Sequence, residues 1–226
     1  AHVPVSHHNI VGNRYMELPM NVTTEKPLNK QGFAIGFRSA NFLDGVVRDS
    51  TTTFHAPSLI EIDIPFDENQ DGARQTIILY ASPSRPGFSN FVGHFAFRKD
   101  RKGRLPKALR FFTLPLPKWV DHIMSSAFIN QDALFLHHQE RYMHRTGMYT
   151  THFPEDDGSP SDYAASVYPV NTDKGVLLFR NWLRRFSAGR VPYRHQLGNE
   201  ATVMPPPSSD VVFDVWNAHT KHCRYC

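Results

Sequence analysis

Thr51-Thr52-Thr53-Phe54-His55-Ala56-Pro57-Ser58-Leu59-Ile60-Glu61-Ile62-Asp63-Ile64 is the stretch whose reading decides the fold class. It holds two β-prone runs, residues 45–55 and 59–64, broken by Ala56-Pro57. Within Thr51-Thr52-Thr53-Phe54 and Glu61-Ile62-Asp63-Ile64 the residues alternate, which sends successive side chains to opposite faces of an extended chain. Working outward, residues 33–38, 75–81 and 90–98 offer the same kind of run. Turn residues separate them: Asn41 and Asp44, then Asp67 to Gly72, then Ser82 to Gly87. The pattern predicts an antiparallel meander with one covered face and one wetter face.

After Pro115 and Pro117 the pattern changes to a helix over about residues 118–145, with Leu134, Leu136 and Met143 at apolar positions and the prolines marking its start. Residues 154–160 read as an acidic loop rich in Pro, Gly and Ser. Thr172 or Asp173 is placed to cap a second helix to about Ser187, whose amphipathic face is Val176, Leu177, Phe179, Trp182, Leu183 and Phe186. Strands followed by helices give the α+β class. Beyond Gly189, Pro192 and Pro205-Pro206-Pro207 suggest an extended arm, so the expected organisation is one domain over residues 1–188 and an arm over 189–226.

With 226 residues, 40% hydrophobic content and 17 Phe, the chain can bury a sizeable core. No apolar run approaches the roughly 20 residues that a membrane-spanning helix needs, so the chain as given reads as soluble. A net charge of +4 is too small to suggest a nucleic-acid protein. The densest basic run, Arg98, Lys99, Arg101, Lys102, Arg104, Lys107 and Arg110, reads as a loop between strands. A solvated loop is the plain interpretation; docking of an acidic electron donor or an anionic membrane surface is the sharper one. The 2 cysteines, Cys223 and Cys226, exclude a disulfide framework for the core and fit an intracellular or organellar setting. The chain opens without Met and with a candidate ligand at position 2, so it reads as a fragment whose preceding domain and any targeting segment are missing.

Three residues make up the candidate catalytic centre. His2 and His7 form an H-x4-H pair. On an uninterrupted helix the two rings would diverge by roughly 140°, but Pro4 disfavours such a helix and a turn after His2 can bring His7 back. Asp132 is the best carboxylate to join them: helical spacing puts Phe128, Phe135, Leu136 and Gln139 on its face, which would point it to an apolar core. A buried lone carboxylate is costly, and metal ligation offsets that cost. Two imidazoles and a carboxylate would form a facial triad with open positions, the arrangement suited to Fe(II) and dioxygen. Spacing alone leaves other roles open for Asp132, such as a cap or a pair with Arg141.

Cys223-x-x-Cys226 is compatible with a redox dithiol, with two inert thiols, or with half of a metal site. Zinc is disfavoured, because His219, His222, Cys223 and Cys226 leave little chain to wrap a tetrahedral ion. His8, His137, His138 and His144 are expected on a polar face or satisfied in a core, with His137 or His138 as an alternative substrate contact.

Five segments carry a family resemblance. They are His2-Val3-Pro4-Val5-Ser6-His7-His8 with Gly12-Asn13-Arg14; Phe54-His55-Ala56-Pro57; Pro115-Leu116-Pro117-Lys118-Trp119-Val120-Asp121-His122 with Gln131-Asp132-Ala133-Leu134-Phe135-Leu136-His137-His138-Gln139-Glu140-Arg141; Asp173-Lys174-Gly175 to Phe179-Arg180-Asn181-Trp182; and His219-Thr220-Lys221-His222-Cys223-Arg224-Tyr225-Cys226. Together they resemble the Rieske-type non-haem iron oxygenases of the pheophorbide a oxygenase group. The resemblance implies a helix-grip (START/Bet v 1-like) catalytic domain, a curved antiparallel sheet around a long C-terminal helix. It implies a mononuclear Fe(II) on His2, His7 and Asp132, and a [2Fe–2S] Rieske cluster on a missing N-terminal domain. The acidic residue that relays electrons to the iron in that group would fall before Ala1.

The implied activity is oxidation of a chlorophyll-derived tetrapyrrole, such as pheophorbide a or a chlorophyllide, with electrons from a ferredoxin-like donor. Phe37, Phe42, Phe54, Phe95, Phe111, Phe112, Phe128 and Phe135 are wall candidates for such a substrate, most of them doubling as plain core. The group also implies thioredoxin control through Cys223 and Cys226, a homotrimer, membrane attachment through segments outside this chain, and a chloroplast location at the thylakoid or inner envelope, or a cyanobacterial cell. The alternative is a non-catalytic pigment- or apolar-ligand-binding domain, or a redox-sensing envelope component, on the same fold.

Overall fold

The computed structural model describes residues 21–40, 47–66, 72–85, 88–106, 110, 114–145, 173–187 and 207–226. The chain divides into two compact units that interleave along the sequence. The described parts of one are residues 21–106 and 173–187; those of the other are residues 110–145 and 207–226.

The first unit is a six-stranded antiparallel sheet in the order β1-β2-β3-β4-β5-β6, with β1 Asn21–Asn29, β2 Gly32–Ala40, β3 Val47–His55, β4 Leu59–Pro65, β5 Arg74–Arg85 and β6 Phe88–Arg98. The five expected runs are therefore strands and the meander stands. β1 is the addition. Its sequence, Asn-Val-Thr-Thr-Glu-Lys-Pro-Leu-Asn, lacks an apolar run, and Pro27 falls where the register with β2 is irregular, between Lys26 and Asn29. An edge strand tolerates a proline and charges that a central strand would not.

The register shows how the sheet acquires an apolar face. Phe33 lies across from Phe54, Phe54 from Ile60, and Ile60 from Leu79. Ile35, Thr52, Ile62, Ile77 and Phe95 form a second row on the same side. A helix, Lys174–Phe186, covers the β1–β2 end of this face, and Trp182 joins Val22, Phe33, Ile35 and Phe54 in the buried core. The Phe54 ring meets Phe179 and Trp182 edge-on, with centroids 5.1 and 5.2 Å away, the arrangement that aromatic quadrupoles favour. The indole N–H donates to the Lys30 carbonyl at 3.2 Å. Gly32 is required at the turn into β2: its φ is 133°, and a Cβ there would run into the Phe54 carbonyl oxygen.

The long helix, Lys118–Arg145, forms as expected and is here α1; Lys174–Phe186 is α2. Asp173 occupies the N-cap position of α2, but its side chain makes no capping hydrogen bond, unlike the expectation. No helix among the described residues is long and apolar enough to cross a membrane. Among the described residues, the basic run follows the last strand instead of joining two strands. There Asp100 accepts hydrogen bonds from the Arg104 backbone N–H at 2.7 Å and its Nε at 3.0 Å. Those bonds, the backbone one foremost, hold the Asp100 carboxyl below its ordinary range.

The expected extended arm is helical where it is described. α3 spans Ser209–Val212 and α4 spans Val215–Ala218, followed by a 3-10 turn at Thr220–His222. Asp214 caps α4 by accepting from the Asn217 N–H at 2.9 Å. Proline-rich flanks hide such short helices from a sequence reading, because one-turn elements are decided by caps and packing and not by periodicity.

Candidate functional site

In the second unit, α1 starts where Pro117 accepts from the Val120 N–H at 2.9 Å. Helical spacing then gathers Trp119, His122, Ile123, Ser126, Ala127 and Asn130 on one stripe of α1. Together with Val215, His219, Thr220, Tyr225 and Cys226 this stripe lines a cleft of 490 Å³. The 3-10 turn sets the tail's geometry: Cys223 N–H donates to His219 at 3.1 Å, and Cys226 N–H donates back to Cys223 at 3.2 Å. The chain thus curls so that His219, Cys223 and Cys226 face His122.

Four donor atoms meet there. His122 Nδ1 lies 3.2 Å from His219 Nε2, 3.3 Å from Cys223 Sγ and 3.3 Å from Cys226 Sγ, while Cys226 Sγ lies 3.4 Å from His219 Nε2. All four ligating atoms fall within 4.8 Å of one another, and both cysteines are free thiols. The two thiols are unequal. The Tyr225 backbone N–H foremost holds Cys223 below its ordinary value; desolvation at the sulfur and the neighbouring Cys223 push Cys226 up, although Cys226 as a residue is exposed. His222, part of the expected tail cluster, is exposed and outside this group. His122 replaces it, and the sequence signal for His122 was its place on the Trp119, Ile123, Ser126 stripe.

The expected iron ligands are reached only in part. His2 and His7 lie outside the described residues, as do His8, Phe42, Phe111 and Phe112. Asp132 sits on α1 and is partly buried. Its expected apolar face is not buried: Phe128, Phe135 and Leu136 are 40%, 45% and 62% exposed. Helical spacing tells which residues share a face, not which face is covered. The covered position is His137, buried at 4% exposure with its Nε2 lacking a hydrogen-bond partner among the described residues and its ring edge-on to Phe213 at 6.1 Å. His138 is exposed. Among the wall candidates of the sheet, Phe54 is buried, Phe37 packs against that core, and Phe95 is exposed on the same face.

Comparison with known proteins decides what this arrangement resembles. Residues 54–149 match the family model for pheophorbide a oxygenase. Pheophorbide a oxygenase of Arabidopsis thaliana is 26% identical over 238 aligned positions, covering 100% of this chain and 41% of the relative. The chain is similar to the pheophorbide a oxygenase proteins.

Two further chloroplast proteins align as well. Flavonoid 8-hydroxylase 2 of Ocimum basilicum is 28% identical over 76% of this chain and 28% of its own length. Protochlorophyllide-dependent translocon component 52 of Arabidopsis thaliana is 25% identical over 68% of this chain and 24% of its own length. The chain thus spans between 24% and 41% of the length of these relatives. All are chloroplast proteins, which supports the same compartment for this chain. No solved structure matches. The family-model match takes in His122 and Asp132 and ends before His219, Cys223 and Cys226, which the full-chain alignments include.

Proposed function

We propose that this chain is the catalytic portion of a Rieske-type chloroplast oxygenase that oxidises a chlorophyll-derived tetrapyrrole, with a mononuclear Fe(II) held by His2, His7 and Asp132. The observation that carries this reading is the pheophorbide a oxygenase match over residues 54–149, which includes the helix bearing Asp132. The donor chemistry fits: two neutral imidazoles and one carboxylate suit Fe(II) better than a thiolate-selecting ion. Bound there, the iron would supply dioxygen activation. The chain's own residues would hold the metal, orient the macrocycle and keep water out. A helix-grip arrangement is the fold proposed for this task. The [2Fe–2S] domain and the ferredoxin-like donor are proposed for the remaining length that the relatives possess.

A second substrate reading rests on the 28% identity to the basil flavonoid hydroxylase: a flavonoid is also flat, apolar and aromatic. Product analysis separates the two.

The test is anaerobic Fe(II) titration of the chain against a competing chelator, followed by turnover of the longer protein with labelled dioxygen. One iron per chain, lost in His2→Ala, His7→Ala and Asp132→Ala, together with label in an oxidised tetrapyrrole, is the expected result. A chain that binds pigment with no iron would instead be a non-catalytic ligand carrier.

A further inference from the structure

We infer that His122, His219, Cys223 and Cys226 form a closed tetrahedral site for Zn²⁺, which fastens the end of the chain to α1. This inference is independent of the oxygenase reading and uses none of its ligands.

Geometry is the first support. A tetrahedral zinc with Zn–N of about 2.0–2.1 Å and Zn–S of about 2.3 Å requires donor atoms about 3.3 Å apart for N–N and about 3.6 Å apart for N–S. The observed separations are 3.2 Å for the two nitrogens and 3.3, 3.3 and 3.4 Å for three of the nitrogen–sulfur pairs. Hydrogen bonding does not account for this convergence. An imidazole nitrogen has one in-plane lone pair or one proton, so His122 Nδ1 can serve one partner well, yet three donor atoms surround it. Atoms that would each rather face water or a proton donor gather in this way around a shared cation.

Donor chemistry is the second support. Two thiolates and two imidazoles select Zn²⁺ over the hard cations Mg²⁺ and Ca²⁺, which prefer oxygen. Four protein ligands leave no open position, which marks a structural site and not a catalytic one. The objection that the tail is too short to wrap an ion disappears, since the fourth ligand comes from a helix 97 residues away from His219. Closing a loop of that length is where a metal clasp constrains the unfolded chain most. Asp132 lies ten residues farther along α1, about 15 Å along the axis, so it cannot share this ion.

The test measures elements and spectra. Protein purified under reducing conditions should carry one zinc per chain, counted separately from iron by plasma mass spectrometry. Competition with a chromophoric chelator should show His122→Ala, Cys223→Ser and Cys226→Ser to bind zinc more than about 100-fold more weakly, beyond the loss typical of outer-sphere changes. His222→Ala should keep wild-type affinity. If a ligand variant fails to fold, the wild-type protein still decides: Co²⁺ added to its reduced, metal-free form should give thiolate charge-transfer and tetrahedral ligand-field bands. Asp132→Ala should lose iron and keep zinc, so failure of the iron reading and failure of the zinc reading are distinguishable. The inference is overturned if reduced wild-type protein takes up neither Zn²⁺ nor Co²⁺. It is equally overturned if His122→Ala binds as tightly as wild type.

Discussion

Replacing Trp182 by alanine probes the joint between α2 and the sheet. The indole is 7% exposed and stands against Phe54 and Phe179, with centroids 5.2 and 6.4 Å away. Removing a buried aromatic of this size costs about 3–5 kcal/mol, transfer and cavity terms together. The N–H to the Lys30 carbonyl adds about 0.5 kcal/mol, the low end of the usual range, because Lys30 is exposed and water can replace the donor. The sum is about 3.5–5.5 kcal/mol, a large share of the roughly 5–15 kcal/mol that holds a domain together. It corresponds to a fall in melting temperature of roughly 10–25 °C. Urea denaturation followed by far-ultraviolet circular dichroism measures it, fitting the transition that carries the β signal. Trp216→Ala is the control, since Trp216 is 63% exposed and a change within about 0.5 kcal/mol is expected. A loss below about 1 kcal/mol for Trp182→Ala would refute the claim that α2 is anchored on the Phe33, Phe54 core. Trp182→Phe should fall between, retaining the ring contacts while losing the donor.

Gly32→Ala should destabilise the sheet unit by more than about 1 kcal/mol, because the φ of 133° excludes a Cβ that would also strike the Phe54 carbonyl; a thermal melt equal to wild type would contradict this. Arg74 pairs with Asp63 across β4 and β5, with side chains 31% and 29% exposed. A double-mutant cycle with Arg74→Ala and Asp63→Ala should give a coupling of about 1 kcal/mol, reduced from the buried limit by solvent, and a coupling near zero would show the pair to be incidental. Asp214 has its carboxyl held below the ordinary range, first by the Asn217 side chain and then by its backbone N–H. A depressed folded value means that its contribution is present above the unfolded carboxylate value and is lost as pH falls through the folded one. A carboxyl-detected NMR titration should therefore find its midpoint below the free-peptide value of about 3.9, with α4 loosening on protonation; an unshifted midpoint would remove the cap.

Much of the fold is legible in local chemistry. The runs around Phe54 and Ile62 alternate and are bounded by turn residues, so each declares itself a strand without reference to the others. The helix from Lys118 is announced by Pro115 and Pro117, and α2 by the spacing of Val176, Phe179, Trp182 and Phe186. β1 escapes this reading because Glu25, Lys26 and Pro27 give it no apolar signature. It becomes a strand only by hydrogen bonding to β2, an edge position where pairing on one side suffices. In the stretch from Pro207, α4 likewise depends on the Asp214 cap.

The candidate sites divide along the same line. Sequence alone determined that Cys223 and Cys226 could be a dithiol or half of a metal site, and that Asp132 lies on a helix with Phe128 and Phe135. Tertiary structure decided that His122, and not His222, completes the sulfur and nitrogen cluster. It also decided that the covered residue of α1 in that region is His137, while Phe128 and Phe135 stay exposed. The physical reason is that periodicity fixes angles around one element, whereas donor convergence depends on which remote segment packs there. That choice is made by contacts roughly a hundred residues apart, and no local pattern encodes them.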